Sequence, residues 1–111
     1  TEINTFYLFP FRVHYYTDET NPHLLPQVLF SVSRRTFKKA VDRNLIRRRC
    51  KEAYRKHKHL LMGFSPERRP SYIAFLYIAK EKLEYSVIEN AMIKLLKKLP
   101  GQEPMRGVTS D

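Results

Sequence analysis

Six residues set the chemistry of this chain. Asn44, Arg47, Arg48, Lys51, Arg55 and Lys58 fall at +3, +4, +7, +11 and +14 from the first, the spacing of one face of a 3.6-residue helix. At about 1.5 Å of rise per residue, the row is roughly 20 Å long. Guanidinium and ammonium groups at that spacing match the repeat of a phosphate backbone. Arginine offers a planar fork that holds two phosphate oxygens and can also stack on a base. Asn44 adds a donor and an acceptor suited to a 2′-hydroxyl or a base edge. The bland alternative is a solvated helix face. Ordinary exposed faces mix signs, however, whereas these like charges repel one another, so an external anion is expected to offset that repulsion.

The charge is local. Of the 21 Lys and Arg, twelve lie between positions 34 and 58 against only Asp42 and Glu52, which equals the net +10 of the whole chain; the remainder holds nine of each sign. A polyanionic partner follows, nucleic acid before an acidic membrane surface. The 111 residues, 42% hydrophobic and 29% charged, suit one globular domain, expected over residues 1–101 with a flexible tail over 102–111. Cys50 is the only cysteine, so no internal disulfide can form, and a reducing cytoplasm is the expected compartment. The longest apolar run, residues 73–79, is too short to span a bilayer, and no secretion leader opens the chain.

Other chemistry is weakly supported. His57 and His59 lie two apart, which does not put both on one helical face, so a packed histidine at 57 is preferred to a metal pair. Cys50 shares the apolar stripe and reads as a small buried hydrophobe rather than a nucleophile. The acidic residues show no spacing suited to a two-metal nuclease, and three glycines make no phosphate-cradling loop. No catalytic residue, metal ligand or cofactor site is assigned to the protein itself. Arg12, His14 and Tyr16 alternate along a short aromatic segment and form a candidate stacking surface for bases.

These residues need elements to hold them. Residues 6–16 read as strand, with Pro10 marking either a bulge or the meeting of two short strands. A loop over 17–26 leads to a strand over 27–33. The basic helix starts between 37 and 42, with Asp42 a possible cap or first-turn acid, and its inner stripe is Ile46, Cys50, Ala53, Tyr54, His57, Leu60 and Leu61. Gly63 and Pro66 end it, before a loop over 65–70. The stretch 71–79 carries apolar residues on both faces, which predicts a central strand covered on both sides. A last helix is expected over 84–99, with Val87, Ile88, Ala91, Met92, Leu95, Leu96 and Leu99 inward, and Pro100 and Gly101 ending it. The order β-β-α-β-α makes an α+β two-layer sandwich with a small sheet.

Three runs are more specific than charge alone. Phe30-Ser31-Val32-Ser33-Arg34-Arg35, then Lys39-Ala40-Val41-Asp42-Arg43-Asn44-Leu45-Ile46-Arg47-Arg48, then Lys51-Glu52-Ala53-Tyr54-Arg55 resemble the signature of the bacterial ribonuclease P protein component family. Pro10-Phe11-Arg12-Val13 and residues 72–85 resemble its earlier strand and its last strand and helix. The resemblance implies a sandwich related to a ribosomal-protein domain, with the basic helix in a left-handed crossover between parallel strands. It implies a catalytic RNA subunit that uses Mg²⁺ and precursor tRNA as substrate; no obligate protein partner is evident from the sequence. It places Arg34, Arg35, Lys39, Arg43, Asn44, Arg47, Arg48, Lys51 and Arg55 against RNA, and Arg12, His14, Tyr16, Ser33 and Arg35 beside the single-stranded 5′ leader. Leu45 stands where the family motif carries arginine, so one contact is expected to be missing or taken over by a neighbour. The family's N-terminal helix, which helps wall the leader cleft, is not expected here because the chain opens close to its first strand. Two other readings are a ribosomal or general RNA-binding module and a protein-only nuclease.

Overall fold

The computed structural model describes residues 3–17, 26–63 and 70–99. Strands β1 (Asn4–Leu8) and β2 (Phe11–Tyr16) are followed by β3 (Gln27–Val32), helix α1 (Ala40–His57), a 3₁₀ turn (Lys58–Gly63), β4 (Tyr72–Tyr77) and helix α2 (Tyr85–Lys98). The segment around Pro10 resolves into two strands rather than one bulged strand. Phe9 and Pro10, joined by a cis peptide bond, turn the chain back so that β1 pairs antiparallel with β2. A proline here removes no ladder hydrogen bond, because it sits in the turn.

The sheet order is β1-β2-β4-β3, with β2 antiparallel and β3 parallel to β4. Parallel neighbours need a crossover, and α1 is that crossover. Ser71 fixes one end of the sheet: its N–H donates to the carbonyl of Tyr16, and its own carbonyl accepts from Gln27 N, both at 2.9 Å. At the other end Ile78 N donates to the Pro10 carbonyl at 2.8 Å.

The core lies between the sheet and the two helices. Phe11, Val13, Phe30, Val32, Ile73, Phe75 and Tyr77 face inward and meet Ile46, Cys50, Ala53 and Tyr54 of α1 and Ile88, Ala91, Met92, Leu95 and Leu96 of α2. Phe75 is central. It stacks on Phe30 at 5.0 Å between ring centroids and meets Phe11 edge-on at 5.8 Å. Burying such a ring contributes about 1.5–3 kcal/mol.

Three expectations need correction. The central strand β4 is covered on one face only: Ile73, Phe75 and Tyr77 are buried, while Tyr72, Ala74 and Leu76 are partly open. Its uniform apolarity concealed an alternating burial. Val87 lies outside the packed stripe of α2 and is 43% exposed. The α1 stripe is also shared between two elements, because the helix ends at His57 and Leu61 comes inward from the 3₁₀ turn. Asp42 is a first-turn acid and not a cap, since the N-cap position is Lys39 without a side-chain bond. The Lys39 carbonyl instead accepts from Asp42 N at 3.1 Å and Arg43 N at 3.3 Å. Pro66, Pro100, Gly101, the tail over 102–111 and most of the loops over 17–26 and 65–70 lie outside the described residues.

Candidate nucleic-acid interface

The first surface is the outer side of α1. The apolar stripe turns one side of the helix to the core, so the cations at the complementary spacing are driven outward. Asn44, Arg48, Lys51 and Arg55 are exposed, and Arg47 and Lys58 are half-buried. Arg34, Arg35 and Lys39, on the chain leading into α1, are exposed too. Arg47 Nη2 donates to Asn44 Oδ1 at 2.5 Å, which fixes two of the six as one unit. Arg55 pairs with the Glu52 carboxylate at 2.6 Å, with side chains 64% and 42% exposed. Glu52 is held below the usual carboxylate range, first by its hydrogen bond from Arg55. A pair so open to water is worth little and yields readily to another anion.

Not every cation in the basic run is outward. Arg43 is half-buried, and its Nη1 donates to the carbonyls of Phe37 and Lys38 at 2.8 and 3.0 Å. Arg49 Nη1 donates to the Leu83 carbonyl at 2.5 Å. Lys56 lies over the Tyr85 ring, 5.5 Å from its centroid. These three secure the approach to α1 and its contact with the chain around α2. Lys82 meets Asp42 at 3.2 Å, and His57 meets Glu89 at 2.9 Å, both across the α1–α2 layer. Leu45, at the position where an arginine was expected, is half-buried; Arg48, one turn on, is exposed.

The second surface is the outer face of the sheet. Strand alternation and register place three rows across it: Tyr7, Arg12, Leu76 and Ser31; Thr5, His14, Ala74 and Leu29; Tyr16, Tyr72 and Gln27. Tyr16 and Tyr72 stack at 4.8 Å, and Thr5 Oγ1 meets His14 Nδ1 at 2.8 Å. A groove of about 330 Å³ runs past His14, Tyr16, Leu29, Tyr72 and Ala74. Beside it a pocket of about 240 Å³ is lined by Arg12, Ser31, Ser33, Thr36, Leu76 and Tyr77 among others. Leu29 is 61% exposed, a large apolar side chain with no intramolecular reason to stand open.

Arg12, His14 and Tyr16 thus share one surface, as their alternation predicted. Ser33 lines the pocket and also caps a turn, its Oγ accepting from Arg35 N and Thr36 N. Arg35 lies on that turn with its side chain exposed. Sequence reasoning missed Ser31, Thr36, Leu29 and Tyr72. The first two carry no charge, Leu29 is an apolar residue on the face of β3 opposite Val28, Phe30 and Val32, and Tyr72 falls in a strand expected to be covered on both sides.

Cys50 supplies no chemistry. Burial pushes its thiol up to about 12, far from the thiolate that reactivity requires. Among the described residues, no group of three or more His, Cys, Asp or Glu could hold a metal ion, and no helix is long and apolar enough to cross a membrane.

The sequence model of the ribonuclease P family matches residues 2–100 of this chain. The chain belongs to the ribonuclease P protein family. Ribonuclease P protein components from two strains of Porphyromonas gingivalis, ATCC 33277 and W83, are each 33% identical over 118 residues, spanning 99% of this chain and 86% of theirs. The ribonuclease P protein of Staphylococcus aureus shares the fold, with a TM-score of 0.67 over 86% of this chain and 79% of that one, at 22% identity. Membership in the ribonuclease P family puts the chain in a ribonucleoprotein endoribonuclease of tRNA processing.

Proposed function

We propose that the protein is the non-catalytic subunit of ribonuclease P, docking on the catalytic RNA through α1 and holding the 5′ leader of precursor tRNA on the open sheet face. The observation that carries this reading is the division of the molecule's surface. Asn44, Arg48, Lys51 and Arg55 stand exposed on the helix layer, and Arg12, His14 and Tyr16 line the far side of the sheet. The first surface suits a folded RNA recognised by its phosphates; the second suits an unpaired strand whose bases can stack. One small domain can then touch the ribozyme and the substrate together.

The cations screen repulsion between two polyanions, which lowers the divalent-ion concentration the complex requires. Mg²⁺ belongs to the RNA subunit in this scheme, and no residue of the protein is assigned to it. The chemical step is likewise the RNA's, and the protein contributes affinity and position. A cytoplasmic location fits a single thiol that packs in the core as an apolar group.

Reconstitution with the cognate RNA subunit at low Mg²⁺ tests the proposal. Adding the protein should restore release of the leader. Binding of RNA without any gain in cleavage would instead support a ribosomal or general RNA-binding role. Cleavage by thoroughly RNA-free protein would assign the chemistry to the protein.

A further inference from the structure

Resting on the leader-binding reading, we infer that the sheet face sorts a single RNA strand into a phosphate seat at Arg12 and a base-stacking groove at Tyr16, and so sets the register of the leader. The pocket at the Arg12 end is lined by hydroxyl groups and a guanidinium, and none of its lining residues is acidic. The Tyr77 hydroxyl is satisfied, donating to the Glu81 carbonyl at 2.7 Å, but two other donors lack acceptors. Ser33 Oγ already accepts from Arg35 N at 3.0 Å and from Thr36 N at 3.3 Å. Both lone pairs are thereby used, and its proton can only be given away. Arg12 Nε is shielded from solvent and has no hydrogen-bond partner. An unmet donor of this kind is costly, and a long side chain recovers that cost by turning onto an acceptor that arrives from outside. A ligand that only accepts, and is negative, fits this end. Arg34 and Arg35 stand exposed on the adjoining turn and strengthen the same field.

The neighbouring groove has the opposite character. Tyr16 stacked on Tyr72, with Leu29 and Ala74 beside them, offers flat apolar surface and no formal charge. Tyr16 and Arg12 lie on the same face of β2 four residues apart, which is about 13 Å at ~3.3 Å per residue. A free phosphate ion fills one end only. A polynucleotide fills both, spanning the gap with about four nucleotides if its bases stay stacked at ~3.4 Å and fewer if they splay.

The test uses the enzyme reconstituted with its RNA subunit and precursor tRNAs whose leaders carry one change each. One series has a methylphosphonate beside a 2′-O-methyl sugar at successive linkages, with the sugar alone as control. The other has an abasic site at successive nucleotides. One linkage should lose about tenfold in affinity when its charge is removed, the scale of one charge-assisted hydrogen bond. Arg12→Ala should already be weaker by a similar factor and lose nothing further at that linkage. Arg12→Gln, which keeps the packed stem, should behave alike and guards against misfolding. Abasic sites on one side of that linkage, within about four nucleotides, should weaken binding, and Leu29→Ser should remove that effect.

Equal sensitivity at every linkage, or a sensitive linkage that persists in both Arg12 variants, overturns the inference and leaves leader binding intact. Equal affinity for precursors with and without a leader overturns the leader-binding reading, and this inference with it. Millimolar inorganic phosphate that reproduces the whole leader effect would show a simple anion site and also overturns it.

Discussion

Arg47 donates from Nη2 to the side-chain oxygen of Asn44, one helical turn earlier, at 2.5 Å. The bond holds the guanidinium in one orientation before RNA arrives, so less rotamer freedom is lost on binding. The two residues should therefore act as a unit. Asn44→Ala and Arg47→Ala should each weaken binding to the RNA subunit, while the double variant falls short of the sum by about 0.5–3 kcal/mol. Strict additivity in a filter-binding cycle would show that the pair does not pre-order the site.

Arg48 and Arg49 are adjacent in sequence and opposite in duty. Arg48 is exposed, whereas Arg49 ties α1 to the Leu83 carbonyl. Arg48→Ala should cut RNA affinity and leave thermal stability within about 0.5 kcal/mol. Arg49→Ala should cost about 1–3 kcal/mol in urea denaturation, because it strands a half-buried carbonyl, and should barely change affinity for the RNA. The reverse pattern would mean that the two faces of α1 are misassigned.

Salt dependence separates phosphate contacts from the rest. If Arg34, Arg48 and Lys51 each meet a phosphate, each alanine variant should flatten the slope of log K against log salt by about 0.7–0.9. Arg43→Ala should leave the slope alone and lower stability, since Arg43 holds the carbonyls of Phe37 and Lys38. Titrations at several salt concentrations measure both.

Alkaline pH should loosen the fold. Burial pushes Cys50 and Tyr54 each up to about 12. Both keep protons in the native state that the unfolded chain releases at lower pH. Their contribution is therefore fully present below pH 9 and is lost as pH rises toward 12. The slope approaches ~1.4 kcal/mol per pH unit for each group while only the unfolded form has ionised. Urea midpoints should fall from pH 9 to 11, less steeply in Cys50→Ala. Native Cys50 should also resist alkylation at pH 8 and react freely in urea. Rapid alkylation without denaturant would contradict its burial.

The basic helix was legible because two periodic patterns, apolar and cationic, interleave on it with the same period. Ile46, Cys50, Ala53 and Tyr54 are buried as that pattern requires. What escaped was pairing and partnership. Arg43, Arg49 and Arg55 look like their neighbours in sequence, and only the fold shows which carbonyl or carboxylate each one reaches. The open side of the sheet escaped for another reason. Tyr72, Ala74 and Leu76 are as apolar as the buried residues between them, so composition carried no trace of which side was covered. The β1–β2 hairpin was one of two readings that Pro10 allowed, and the choice between them is a matter of tertiary pairing.

In β2, Phe11 and Val13 point into the core and Arg12 and His14 point away from it. Adjacent codons thus carry unrelated obligations. Substitutions at even positions can retune recognition without touching the folding core, and substitutions at odd positions do the converse. Inserting or deleting one residue exchanges the two sets at a stroke. This strand should drift by replacement over its history and almost never by changes of length.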